Sequence, residues 1–337
     1  MADTPTSPDS IPRLRVGVVG TAHWAREVHA AGAVAAQHAD LVSVWGRTPE
    51  RAQSLAQRYD VEAAASFEEL LDRVDVVTFA VPPQVQPDLA AMAARAGRHL
   101  LLDKPVATSL RATDELAAAV REGGVQASVF FTRRFVPDFE KALQAAATQE
   151  WSGARVRWLA DVAAADSPYR DSVWRAEPLA ALWDLAPHVL AHLVPVLGAV
   201  ESVTAERSGH GVELRTQHRR GAQADIAVSL HSPDYVEEFR LLRGDGSELV
   251  LDASPVDAVE PFARALDNLV RRAHGLDEPC PAPLEVGVEV TRVLAEAEAS
   301  LCRSGPRSAE WRTTSSSASA STSRDRPRRP RPRPASR

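Results

Sequence analysis

A chain of 337 residues, 45% hydrophobic and 25% charged, is long enough for two domains and has the balance of an ordinary globular protein. No apolar run approaches the ~18 residues that span a bilayer, the first residues lack the basic and apolar regions of a signal peptide, and two cysteines support neither a disulfide framework nor a thiolate metal site; a cytoplasmic protein without a metal is expected, binding neither membrane nor nucleic acid. The net charge of −6 divides unevenly, because residues 313–337 carry net +6 and the body before them −12, and an acidic body argues against nucleic acid as the main partner.

Residues 1–12 are expected to be disordered. Strand and helix patterns then alternate through 13–131: strand 14–19, helix 24–37, strand 41–45, helix 49–58 with Pro49 in its first turn, a short strand near 62–65 and a helix from Phe67. Strand 76–81 ends at Pro82-Pro83, helix 84–96 closes on Gly97, strand 99–102 runs into Asp103-Lys104-Pro105, helix 109–122 closes on Gly123-Gly124, and strand 126–131 completes the series. Such alternation predicts a doubly wound parallel sheet of Rossmann type, covered by helices on both faces.

The rhythm changes after Phe135. A helix over 137–147 leads to strand 154–163, a long loop through Trp174 and a helical stretch over 179–197. Four or five strands follow between 200 and 251, with glycine turns that predict antiparallel pairing, and helices 259–274 and 284–302 close the pattern. The fold class expected is therefore α/β, a parallel sheet over 13–131 followed by an α/β domain over 132–312 with a mostly antiparallel open sheet. The Ser/Arg/Pro-rich residues 313–337 have almost nothing to bury and are expected to be disordered.

Chemistry concentrates at the strand ends. Gly20-Thr21-Ala22-His23-Trp24 follows the first strand and opens a helix, the setting in which amides at a helix N-terminus receive a pyrophosphate, although a ligand-free tight turn has the same look. After the second strand, where an acid for the ribose of NAD is usual, stand Gly46-Arg47-Thr48; arginine and threonine there suit a 2′-phosphate, so NADP is expected ahead of NAD. Pro82-Pro83 form a rigid turn at the same edge, and Lys104 leaves its strand towards the crevice where such sheets hold their ligand. Asp184 and His188 are four residues apart, so on a helix they share one face and suit proton removal from an alcohol; Pro187 between them implies a first turn or a kink. His192 is expected in the core.

The strand-turn Val16-Gly17-Val18-Val19-Gly20, Asp103-Lys104-Pro105, Arg133-Arg134-Phe135, Trp174-Arg175 and Leu182-Trp183-Asp184-Leu185-Ala186-Pro187-His188 come in the order found in the Gfo/Idh/MocA oxidoreductases, which the chain resembles from about Leu14 to Trp311. The resemblance implies an NAD(P)-dependent dehydrogenase or reductase acting on a sugar, an inositol or a related cyclic polyol, assembled as a homodimer or homotetramer. It implies catalytic roles for Lys104, Asp184 and His188, cofactor contacts from Gly20, Thr21, Ala22, His23, Trp24, Arg47, Thr48, Pro82, Pro83, Asp103 and Lys104, and substrate contacts from Arg134, Trp174, Arg175, Asp184 and His188. Ala22 and Ala186 stand where that family usually has glycine. Related alternatives are a glycosidase working through transient oxidation and a nucleotide sensor without catalysis.

Overall fold

The computed structural model describes residues 11–304 except 163, 165, 166, 171, 178 and 210. The expectations for 1–10 and for 313–337 lie outside the described residues. The first sheet holds β1 (Leu14–Val19), β2 (Ala39–Trp45), β3 (Glu62–Ala63), β4 (Val76–Phe79), β5 (His99–Asp103) and β6 (Ala127–Phe130). All run parallel in the order β3-β2-β1-β4-β5-β6, so the chain reverses direction across the sheet between β1 and β4. A crevice opens there at the carboxyl ends of the strands. β4 is buried along its whole length and β5 through Leu100, Leu101 and Leu102, which is why these strands read as continuous apolar runs.

The first helix departs from the expected 24–37. It passes through a π-helical turn, Ala25–Ala30, before the short α1 (Ala31–Ala35). Within that wider turn, His29 contacts Thr78 (Nδ1 to Oγ1 3.2 Å) and the Phe262 ring; apolar spacing over one turn does not separate α from π geometry. α2 (Pro49–Tyr59), α3 (Phe67–Arg73), α4 (Gln86–Arg95) and α5 (Leu110–Gly123) fall close to their predicted places. Ser66 and Ser109 cap α3 and α5 by accepting the N–H of Glu69 and Ala112.

α6 (Pro137–Ala147) leads into the second sheet, made of β7 (Gly153–Asp161), β8 (Val200–Ser208), β9 (Gly211–His218), β10 (Gln223–Ser229), β11 (His231–Leu242) and β12 (Glu248–Leu251). The order is β12-β11-β7-β10-β9-β8, antiparallel everywhere except between β7 and β10. Val203, Ala205, Val212, Leu214 and Ile226 point inward, and alternate residues such as Glu206, Glu213, Arg215 and Asp225 are exposed. One face thus packs on helices and the other is polar.

The helix expected over 179–197 is two helices, α7 (Ala180–Asp184) and α8 (Ala186–Leu197), broken at Leu185. The break explains Pro187: it lies in the first turn of α8, where a missing N–H removes no hydrogen bond. Two domain boundaries also shift. The ordered body begins before residue 13, because Ile11 is in the core and the Pro12 carbonyl accepts from His274 Nε2 at 3.0 Å. And α9 (Val259–Ala273), expected with the second domain, packs on α1, β5 and β6 of the first sheet. A Cβ on Gly32 would lie 2.6 Å from Phe262, and Asp267 accepts the N–H groups of Gln37 and His38 just past α1. α1 is too short to cover its part of the sheet, and a later helix completes the layer. α10 (Leu284–Ser304) packs on β8, α8 and α5.

Candidate active site

A cavity of about 540 Å³ opens between the two sheets. Its nucleotide side is made of turns. Gly20 has φ +124°, and a Cβ there would stand 2.3 Å from the Ala80 carbonyl oxygen, so only glycine lets the turn after β1 pass β4. A Cβ on Gly46 would lie 2.6 Å from Thr21 Cγ2, which brings the turns after β1 and β2 side by side. Ala22, His23 and Trp24 open the first helix and line the cavity with Ala80, Pro82 and Pro83. Arg47 is exposed, and Thr48 begins α2 beside it. Arg47 makes no ion pair among the described residues. Adjoining turns at a helix N-terminus, with a free guanidinium at the outer end, fit a dinucleotide phosphate chain.

The opposite side is built from charge. Lys104 Nζ donates to Asp184 Oδ1 at 2.6 Å and to the Asp184 carbonyl oxygen at 2.9 Å, across eighty residues of sequence. Arg175 Nε donates to Asp184 Oδ2 at 2.7 Å. Burial alone would raise the Asp184 carboxyl, but Lys104 and Arg175 hold it well below the usual carboxylate range. Next to them, Asp103 accepts the Lys104 N–H at 2.8 Å, and burial pushes its carboxyl up to about 6 in spite of the neighbouring ammonium.

His188, in the first turn of α8, completes this corner. Its ring lies 5.3 Å from that of Trp158 and 6.2 Å from Phe131. Burial, then the charge of Lys104 and the neighbouring His192, drives the imidazole well below its ordinary value, and Asp184 only partly opposes this. The ring is therefore neutral near pH 7.

The structure brings together Ala22, His23, Trp24, Pro82, Pro83, Asp103, Lys104, Trp174, Arg175, Asp184 and His188 around one cavity. Gly20 and Thr21 lie in the turn that leads to Ala22, and Arg47 and Thr48 in the adjoining turn after β2; none of the four is in the cavity wall. Arg134 departs from expectation: it is not part of the cavity wall. It is buried, bonds Glu140 through Nε and Nη2 and donates Nη1 to the Ala191 carbonyl, so it braces α8 against α6. Asp184 lines the cavity and accepts from both Lys104 and Arg175. His192 is in the core as expected, against Phe139 and Phe239, but its Nε2 has no hydrogen-bond partner among the described residues.

Several residues were not legible beforehand. Tyr169 lines the cavity, edge-on to His23 at 5.8 Å, and burial pushes its phenol up to about 12. Gln86 is 1% exposed; its amide donates to the carbonyls of Asp103, Pro105 and Val106, and its oxygen accepts the Asp103 N–H, so it fixes the turn that presents Lys104. Nothing local in the sequence marks either residue. One available signal was composition: of 39 Lys and Arg residues only Lys104 and Lys141 are lysines, so a lysine in the crevice is a chemical choice.

Comparison with known proteins agrees with this geometry. Residues 14–131 match the profile of the GFO_IDH_MocA oxidoreductase family, NAD-binding Rossmann fold. Residues 14–131 therefore carry the NAD-binding Rossmann domain of that oxidoreductase family. An uncharacterized oxidoreductase of Synechocystis is 31% identical over 206 residues, 58% of this chain and 55% of the relative. A dTDP-3,4-didehydro-2,6-dideoxy-alpha-D-glucose 3-reductase of Saccharopolyspora spinosa is 32% identical over 112 residues, 32% of this chain and 33% of the relative. These matches thus span about half and one third of the relatives' lengths. Among solved structures, a UDP-N-acetylglucosamine 3-dehydrogenase of Acidithiobacillus ferrooxidans superposes with TM-score 0.73 at 19% identity, over 86% of this chain and 98% of that one, a likeness of fold. Among the described residues, no helix is long and apolar enough to cross a membrane.

Proposed function

We propose that the whole chain is a Gfo/Idh/MocA oxidoreductase, an NADP-preferring dehydrogenase or reductase that interconverts a secondary alcohol and a ketone on a sugar, an inositol or a related cyclic polyol. The observation that carries the reading is the meeting of Lys104, Asp184 and His188 with the nucleotide turns around one cavity. Bound nicotinamide would supply hydride exchange with the substrate carbon. Neutral His188 takes the hydroxyl proton in the oxidising direction and returns it in the reducing one. Two of the three N–H donors of Lys104 are committed to Asp184, and the third is available to the same substrate oxygen as its negative charge develops. Trp24, Trp174 and Tyr169 exclude water and offer flat apolar faces to a ring.

The preference for NADP is supported by Arg47 and Thr48 where a carboxylate would repel a 2′-phosphate. We place the protein in the cytoplasm as a homodimer or homotetramer, with the polar outer face of the second sheet as the natural contact. The decisive experiment is a screen of aldoses, inositols and other cyclic polyols, following reduction of NADP and of NAD. The reading expects net NADP reduction with at least one secondary alcohol. Cleavage of glycosides without net reduction would replace it with the glycosidase alternative, and tight dinucleotide binding with no turnover on the whole panel would favour a sensor.

A further inference from the structure

Arg175 lies in the cavity wall, but its charge is already engaged. Its Nε–H is on Asp184 Oδ2 at 2.7 Å, and Nη2 lies 3.4 Å from Oδ1. The guanidinium carbon is 4.3 Å from the centre of the Tyr169 ring and 4.6 Å from that of Trp174, so two aromatic faces hold it. The same carboxylate takes Lys104 on Oδ1 at 2.6 Å. Two cations share one anion, and all three side chains are at most one-fifth exposed.

We infer that Arg175 is a positioning residue: it occupies one oxygen of Asp184, so that Asp184 holds Lys104 in place without fully neutralising it. The inference rests on the proposed reaction, in which the remaining N–H of Lys104 bonds the substrate oxygen. Charge counting gives the reason. Lys104, Arg175 and Asp184 together carry +1. Without Arg175 the remaining ion pair is neutral, and its N–H is a poorer partner for an oxygen gaining negative charge. A flat guanidinium suits this place because it can bond the carboxylate in its plane and offer its faces to Tyr169 and Trp174, which an ammonium cannot do. Asp103, Tyr169, His188 and, against Tyr169, His23 are the other titratable groups lining the cavity among the described residues, and they are the same in parent and variants.

The chain supplies its own test, because Lys104 and Lys141 are its only lysines and Lys141 is exposed on α6. Competitive acylation of the apoprotein, read by mass spectrometry, gives the reactivity of Lys104 relative to Lys141 without reference to turnover. Below its pKa an amine reacts in proportion to its neutral fraction, and removing a nearby cation lowers that fraction. Arg175→Met should slow labelling of Lys104 relative to Lys141 by roughly threefold to tenfold, the effect of a unit charge several ångströms away in a partly buried site. Adding Asp184→Asn to that variant restores the +1 count and should return labelling to the parent rate or above. Arg175→Lys, which keeps the cation, should stay near the parent and serves if the methionine variant folds poorly.

If Arg175 only pinned the loop, its removal would open the corner and speed the labelling of Lys104; faster or unchanged labelling overturns the inference. With an alcohol found by the screen, Arg175→Met should lower kcat about tenfold with little change in KM. A raised KM at constant kcat would make Arg175 a substrate contact and overturn the positioning role. Should the parent oxidise no alcohol while labelling shifts as stated, the coupling between Arg175 and Lys104 stands and the reaction proposed above falls.

Discussion

On one side of the cavity, Ala22, Ala80, Pro82 and Pro83 present main chain and small side chains, whereas on the other Lys104, Arg175 and Asp184 bring paired charges. The first wall works by shape. The glycines of its turns sit where a Cβ would strike another backbone or side chain, so it depends on the sheet that carries it. The second works by charge held in low dielectric, where each group is tolerable only because its partners are present. The difference separates what mutations should do: changes to the nucleotide wall should alter cofactor choice, and changes to the charged wall should alter turnover and the stability of the corner.

The largest effect is expected at Asp184, the one anion that two cations share. Asp184→Ala would leave Lys104 and Arg175 facing each other unpaired, so turnover should fall by about two powers of ten or more and stability by roughly 2–4 kcal/mol. Kinetics and thermal unfolding on one preparation check both. A variant that lost turnover at an unchanged Tm would show that the two cations find other partners.

On the nucleotide side, Arg47→Asp should weaken NADP by about tenfold to a hundredfold, the worth of a charge-assisted bond to phosphate, and should leave NAD nearly untouched. Titration of both dinucleotides against tryptophan fluorescence reads this directly, since Trp24 and Trp174 line the cavity. Equal weakening of the two would move the specificity elsewhere.

A smaller effect is expected at Asp103. Its carboxyl rises from 3.8 to about 6 on folding, so between about pH 4 and pH 6 the unfolded chain releases the proton that the folded chain keeps. Stability from this group therefore falls as pH rises through that window and stays lower above it. Asp103→Asn should match the parent near pH 4 and exceed it above pH 6 by roughly 1–2 kcal/mol. Melting curves across that range provide the test, and a gap that did not change with pH would remove the assignment.

The same division accounts for what the sequence made legible. Strand ends, the glycine turn and Lys104 after β5 could be read because each depends on local pattern: apolar runs, a turn and a chain position. The pairing of Lys104 with Asp184 could not, because eighty residues separate them and only the closing of two sheets brings them together. Arg134 was misplaced for a related reason: in Arg133-Arg134-Phe135 both arginines are buried, and sequence does not say which one turns towards Glu140 and which towards Glu237. The split at Leu185 was signalled by Pro187. The packing of α9 on the first sheet was not, since amphipathic spacing shows that a helix buries a face and is silent on where.

The central claim is that Lys104, just past β5, and His188, on α8, act on one substrate oxygen. It is tested most directly by measuring turnover, NADP affinity and Tm for Lys104→Met and His188→Ala. Lys104→Met leaves Asp184 paired with Arg175, and His188→Ala removes a neutral ring, so neither strands a buried charge. Each variant should lose about two or more powers of ten in turnover while cofactor affinity and Tm stay near those of the parent. Retained turnover in either one would contradict the account, and a collapse of Tm would return that residue to a structural role.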